Sequence, residues 1–262
     1  MASLDQYILS YFSDDAAGES YARDHMARIL RTLEVTPPGV SGDRALEMGA
    51  YMQMTPALHH RLGYGEVRGA DLGPLGEIVH KEISSTSGDR FACEIDLFDA
   101  ERDTFPYPDG HFALVLCCEV LEHLQNDPMA MMSEINRVTK PGGAIVMTTP
   151  NICANRGIAA ILTGWQPQQF SQYIKPKAGV VDPKHSREYA PRELPDLLRD
   201  AGYETELIQT GPCGGRDPRE FDWVTPILKK HRLSTELREE GIYAVGRKVA
   251  PVRDRYPDWL YA

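Results

Sequence analysis

The chain has 262 residues, 42% of them hydrophobic and 25% charged, which suits one large α/β domain with a buried core and leaves two independent domains cramped. A formal charge of −10 opposes loose attraction to nucleic-acid phosphates or anionic membranes, because the long-range field repels both. No apolar stretch reaches the roughly 18 residues of a spanning helix, and "MASLDQYILSYFSDD" lacks a basic segment and a cleavage site. The five cysteines, Cys93, Cys117, Cys118, Cys153 and Cys213, form no CxxC pair, so the sequence reads as a cytoplasmic protein with reduced thiols and no membrane partner.

Leu4, Tyr7, Ile8 and Tyr11, then Met26, Ile29, Leu30 and Leu33, have the spacing of two amphipathic helices in an N-terminal helical segment of residues 1–40, which "TPPGVSG" stops. Short β-type runs separated by helical segments follow: "RALEMG", "GEVRGADL", "FACEIDLF", "FALVLCC", "GAIVMTT", and later "ETELIQT" and "IYAVGRKV". This alternation predicts right-handed βαβ crossovers and a largely parallel, doubly wound sheet over residues 41–250. Cys117 and Cys118 fall on alternate faces of one strand.

In "NDPMAMMSEINRVTKPGG", Asp127 is a good N-cap, Pro128 takes the first helical position, and Met131, Met132, Ile135 and Val138 form an apolar stripe that Lys140, Pro141, Gly142 and Gly143 end. Two stretches interrupt the rhythm, at about 151–190 and 211–240; in the second, "VTPILKKHRLSTELREE" is compatible with one helix. Arg156, Lys175, Lys177, Lys184 and Arg187, opposed only by Asp182, form either a solvated basic loop or a subsite for an anionic group. Residues 251–262 make a C-terminal tail.

In an open parallel sheet, ligands lie beyond the carboxyl ends of the strands where strand order reverses, which places Glu47, Asp71, Asp99 and Glu119 on one crevice. Acids there suit ribose hydroxyls, an adenine amino group or an ammonium. A pyrophosphate would want glycines at a helix start, and the GxGxxG fingerprint is absent.

The ordered set "ALEMGA", "VRGADL", "DAERDTFPYPDGHFALVLCCEVLEHL" and "EINRVTKPGGAIVMTTPN" resembles the class I S-adenosylmethionine-dependent methyltransferases over residues 43 to about 210. The resemblance implies a Rossmann-like, mostly parallel seven-stranded sheet with helices on both faces, and S-adenosyl-L-methionine as cofactor. It places Glu47, Gly49 and Ala50 at the methionine end, Asp71 and Leu72 at the ribose, Asp99 and Ala100 at the adenine, with Asp96 an alternative to Asp99, and Glu119 beside the cofactor. Tyr51 and Gln53 stand where the commonest family pattern has glycines, so the turn is either moved or narrowed.

"EVLEH" adds Glu119, Glu122 and His123, which share one face if the strand runs into a helical turn. Such a set can hold magnesium, manganese or zinc. In metal-dependent O-methyltransferases of the family a similar set binds metal, completed by a later histidine whose counterpart is His185. Without a metal, His123 or His185 is the candidate general base.

The expected activity is methyl transfer to a small polar acceptor, preferably a hydroxyl oxygen of a sugar or natural-product intermediate, since Trp165, Phe170, Tyr173 and Tyr189 mix with polar groups. The competing readings are a non-catalytic scaffold on the same fold, favoured by Tyr51 and Gln53, and an RNA methyltransferase, which the charge of −10 opposes. Nothing in the sequence decides between monomer and oligomer.

Overall fold

A computed structural model describes residues 3–170, 184–214 and 218–262. It begins with three helices, α1 (Leu4–Leu9), α2 (Ala16–Asp24) and α3 (Met26–Val35), where the periodicity predicts two. The extra one starts at Asp15, whose side chain accepts the Gly18 N–H at 3.0 Å. There follow β1 (Arg44–Met48), α4 (Thr55–His60), β2 (Glu66–Asp71), β3 (Ile78–Ser84), β4 (Arg90–Leu97), β5 (Phe112–Cys118), α5 (Pro128–Val138), β6 (Thr139–Pro150), α6 (Asn155–Leu162), α7 (Glu193–Asp200), β7 (Tyr203–Gly211), α8 (Val224–Lys230) and β8 (Gly241–Lys248).

The strands form one sheet in the order β3-β4-β2-β1-β5-β6-β8-β7. The four pairings joining β4, β2, β1, β5 and β6 are parallel, while β3, β8 and β7 pair antiparallel. The sheet therefore has eight strands, one more than expected. The additional strand, β3, lies at an edge with nearly every side chain exposed, so its sequence "IVHKEIS" lacks the buried alternation that marks the others.

Each face of the sheet carries its own core. Met129, Met131, Met132, Ile135 and Val138 of α5 and Leu194, Leu197 and Leu198 of α7 pack on one face with Cys117. Tyr7, Ile8, Ile29, Leu33, Ala57 and Leu58 from α1, α3 and α4 cover the other, against which Cys118 packs. The chain leaves β1 toward β2 on one side and β5 lies on the other, so strand order reverses there and a crevice opens above the carboxyl ends of β1 and β5.

Asp127 caps α5 as the sequence predicts, accepting the Ala130 N–H at 3.0 Å. The helix ends at Val138 rather than in "KPGG", because Thr139 to Gly143 already belong to β6, with Gly142 at φ +72. Helix α8 stops at Lys230 instead of running to Glu240, since Arg232 and Leu237 adopt positive φ, +57 and +58, which a helix cannot contain. Among the described residues no helix is long and apolar enough to cross a membrane.

The tail folds back onto the start of α5. Arg255 pairs with Asp127 at 2.6 and 2.8 Å, the Tyr261 hydroxyl bonds the same carboxylate, and the Trp259 indole donates to Asp200 at 2.9 Å. The Arg255 guanidinium, followed by the Tyr261 hydroxyl and the Ala130 N–H, holds the Asp127 carboxyl below its ordinary value. That contribution is complete above the unfolded value of about 3.9 and is lost as pH falls through the lower folded value. Asp127→Ala is expected to cost about 1–2 kcal/mol in urea unfolding at pH 7, with the gap to the parent closing below roughly pH 4.

Candidate functional site

The turn after β1 keeps a glycine where positive φ begins, Gly49 at φ +66, and places a second positive φ, +70, on Met52. The Gly49 and Ala50 N–H groups both donate to the Ala70 carbonyl, at 2.8 and 3.2 Å, which ties the turn to the end of β2. Tyr51 is 57% exposed, and its hydroxyl pKa is raised by burial first and then by the charge of Asp71, which puts that hydroxyl beside the end of β2. Gln53 is buried beneath. The turn thus takes positive φ twice, with Met52 carrying the backbone strain that glycine would relieve.

Glu47, on β1, is fully buried, and its Oε2 has no hydrogen-bond partner among the described residues. Burial pushes its carboxyl up to about 8, only partly offset by hydrogen bonds from Thr55. It is an acid at the root of the turn, two residues before Gly49, whose charged form burial opposes.

Asp71 ends β2 with Oδ1 accepting the Leu72 N–H at 2.8 Å, which leaves its other oxygen without a protein partner among the described residues. The Leu72 side chain beside it is 60% exposed, an apolar surface at the crevice rim. Asp99 lies one turn beyond β4. Its Oδ1 accepts the Glu101 N–H at 2.9 Å and its Oδ2 lies 3.6 Å from Arg102, so much of its capacity closes the turn containing Ala100. Asp96 points elsewhere, bound by Arg68 at 2.7 Å and the Tyr107 hydroxyl at 2.7 Å.

Glu119 follows β5 at φ +55. Its Oε1 accepts the Thr148 hydroxyl at 2.8 Å and its Oε2 pairs with Arg28 at 3.2 Å. Arg28, on α3, is 8% exposed, donates to the Tyr21 hydroxyl at 3.0 Å, and keeps its Nε without a partner among the described residues. Arg28 went unrecognised in the sequence. Its signal was a cation within the otherwise apolar or small buried set Ile29, Thr32 and Leu33 of one helix.

Residues 119–123 do not form the helical face that would gather Glu119, Glu122 and His123: positive φ at Glu119 breaks it, and only Leu121–His123 makes a short 3-10 turn. Instead Glu122, His123 and His185 come together, with one ligand atom of each within 4.8 Å of the others, while Glu119 stays with Arg28. The Glu122 carboxylate is fully buried; Oε2 accepts the Thr149 hydroxyl at 2.9 Å and Oε1 has no partner among the described residues. Burial raises its pKa, and the neighbouring His123 and His185 pull in the opposite direction.

Main-chain bonds bring His185 to this point. The Ser186 and Arg187 N–H groups donate to the Glu122 carbonyl at 2.8 and 3.3 Å, and Asn151 bridges to Tyr189. His123 Nδ1 faces the Lys184 carbonyl at 3.0 Å and His185 Nδ1 faces Glu188 at 3.2 Å. A carbonyl oxygen only accepts, so His123 carries a proton on Nδ1, and its Nε2 lies 4.0 Å from Glu122 Oε1. The Phe170 ring lies 4.3 Å from the His185 ring. The donor set of one orphaned carboxylate oxygen and two imidazoles fits zinc or manganese, with open positions left for a further ligand, better than magnesium, which takes oxygen ligands.

The basic segment supplies no free cation where it is described. Arg156 is buried against Glu240 at 3.2 Å and Arg187 pairs with Glu193 at 2.7 Å, while Lys175, Lys177, Asp182 and Tyr173 lie outside the described residues. A cavity of about 710 Å³ opens far from the acids, lined by Arg137, Pro141, Lys248 and Pro251 at the start of β6 and end of β8. Its cations are committed to Glu134, Asp109 and backbone carbonyls, and it does not belong to the crevice.

A family model described as a methyltransferase domain matches residues 46–147. The ubiquinone biosynthesis O-methyltransferase of Thiobacillus denitrificans is 32% identical over 223 residues, 84% of this chain and 84% of that one. The protein of the same name from Cereibacter sphaeroides is 29% identical over 174 residues, 64% of this chain and 63% of its own. The structure of Burkholderia thailandensis 1,6-didemethyltoxoflavin-N1-methyltransferase, with 1,6-didemethyltoxoflavin and S-adenosylhomocysteine bound, shares the fold at a TM-score of 0.50 and 14% identity, covering 95% of this chain and 92% of that one.

Asp71→Ala should weaken S-adenosylhomocysteine binding about 10- to 100-fold in calorimetry, the range for losing a charged hydrogen-bond acceptor. For Glu47, a folded value near 8 above an unfolded value of about 4.3 means that native stability is lost as pH rises between the two. Thermal unfolding should therefore show Glu47→Gln gaining on the parent from pH 5 to pH 8.5; a constant offset would contradict the burial of an ionisable acid there.

Proposed function

The chain belongs to the class I S-adenosylmethionine-dependent methyltransferases, and within that family we propose that it methylates a hydroxyl oxygen of a small acceptor beside a divalent ion held by Glu122, His123 and His185. The observation that carries the reading is the fully buried Glu122 Oε1, without a donor among the described residues and grouped with two imidazoles. A buried carboxylate oxygen left bare costs several kcal/mol unless a cation or proton meets it. Oxygen as the acceptor atom is supported by the names of the relatives, both O-methyltransferases. Among small hydroxylated acceptors a planar aromatic one suits the site better than a sugar, because the half-exposed Phe170 ring lies against His185.

Methyl transfer from a sulfonium to oxygen asks chiefly for alignment, and orientation can remove about 7–11 kcal/mol of barrier. Asp71 and the Gly49 turn orient the donor, with Leu72 and the Asp99–Ala100 turn beside its base. Arg28, bridging α3 to Glu119, closes the methionine end, where its unpartnered Nε suits a carboxylate. The acceptor hydroxyl must also lose its proton. A divalent ion in the cluster would lower the hydroxyl pKa as a Lewis acid. Glu122 supplies the charge, and His123 and His185 supply neutral nitrogens that leave the net charge of the site low. Should no ion be needed, the His123 Nε2 lone pair can accept that proton directly.

The test is transfer of a labelled methyl group from S-adenosylmethionine to 1,2-dihydroxybenzene by chelator-stripped protein, with and without manganese. The reading expects manganese-dependent transfer that falls at least about 100-fold in Glu122→Ala, since even outer partners of a metal ligand cost 10–100-fold. Transfer indifferent both to chelation and to Glu122→Ala would remove the ion from the account. Failure to bind S-adenosylmethionine at all would return the chain to the scaffold reading.

A further inference from the structure

Glu188 has no part in the site as read from the sequence, yet it is the most heavily engaged acid near the cluster. Its carboxylate has 0% side-chain exposure and accepts from His185 Nδ1 at 3.2 Å. It also takes the backbone N–H of Gln169, 2.7 Å from each oxygen, and that of Phe170 at 3.1 Å. Every one of these partners is a donor, which suits an acceptor-only carboxylate. One group thus grips two things that are 15 residues or more apart in the chain: the ring of His185, and the backbone that presents the Phe170 ring to that same imidazole at 4.3 Å.

We propose that Glu188 is a positioning residue that couples the cation site to the acceptor wall, fixing the His185 tautomer and the placement of Phe170 through a single carboxylate. The proposal rests on the reading of Glu122, His123 and His185 as a cation site. With Nδ1–H directed at Glu188, His185 turns an Nε2 lone pair toward Glu122 and His123, and a carboxylate partner makes that nitrogen a stronger donor. Because the Phe170 N–H is held by the same oxygen, a shift of His185 on loading the ion moves the floor on which a planar acceptor rests. Ion and acceptor should therefore each raise the affinity of the other, by the same factor. A carboxylate that merely closed a loop would leave only the linkage that comes from the acceptor hydroxyl touching the ion.

Three measurements on the full chain test this. In the parent protein, long-range ¹H–¹⁵N correlation of the histidine rings should show His185 protonated at Nδ1 before any ion is added; an Nε2–H tautomer overturns the proposal without any mutation. Calorimetry with manganese chloride alone should then show Glu188→Gln weakened about 10- to 100-fold, whereas Phe170→Leu stays within about twofold of the parent. Finally, 1,2-dihydroxybenzene should tighten manganese binding in the parent by clearly more than in Glu188→Gln, where only its direct contact with the ion remains, while Phe170→Leu raises KM with little effect on kcat. If Glu188→Gln unfolds, Glu188→Asp, one methylene shorter, takes its place and should show the same reduced linkage. Manganese binding equal in the parent and the folded variant overturns the role of Glu188 alone. Absence of manganese binding to the parent overturns the cation site and this proposal with it.

Discussion

A carboxylate with no solvent, one oxygen of which has no donor among the described residues, is the constraint around which the active end of this molecule is arranged. Glu122 sits on a short turn beyond the central strand β5, where burial opposes its charge and only Thr149 among the described residues gives it a side-chain hydrogen bond. Left so, it would cost stability unless a proton or a cation meets it. His123 and His185 stand beside it with their Nδ1 atoms already occupied, and His123 Nε2 lies 4.0 Å from its Oε1.

The fold makes that arrangement by topology. Reversal of strand order between β2 and β5 brings the Gly49 turn, Asp71 and Glu119 to one crevice, while the cores on both faces hold the central strands rigid. The loop carrying His185 is not part of the sheet, yet it is fastened to Glu122 by main-chain bonds and to Asn151 by a bridge, which gives a loop residue nearly the precision of a strand residue. Across the crevice, α3 sends Arg28 to Glu119, so the N-terminal helices close the side that the sheet leaves open.

Much of this was legible in the sequence because burial writes itself as periodicity. The strands with a buried face announced themselves, and α5 was marked by Asp127, Pro128 and its methionines. Strand β3 was not, since an edge strand exposed on both faces leaves no apolar pattern. In the first turn, Tyr51 and Gln53 signalled a departure but not its form, because nothing in the local sequence says that Met52 would take the positive φ. In "EVLEH" the residue types were informative and the assumed helical spacing was not: positive φ at Glu119 sends its carboxylate to Arg28 and leaves Glu122 and His123 to find His185. The parts that stayed hidden, Arg28 and Glu188, act through partners 91 residues away in one case and on a non-repetitive loop in the other, where sequence spacing carries no geometric information.

The most direct test of the account is anomalous diffraction from crystals of the protein grown with S-adenosylhomocysteine and manganese, recorded above the manganese absorption edge. The account predicts a single strong anomalous peak bonded to Glu122 Oε1 and to the Nε2 atoms of His123 and His185, on the crevice that holds the nucleoside between Asp71 and Asp99. Clear density for S-adenosylhomocysteine with no anomalous peak at those atoms would contradict it.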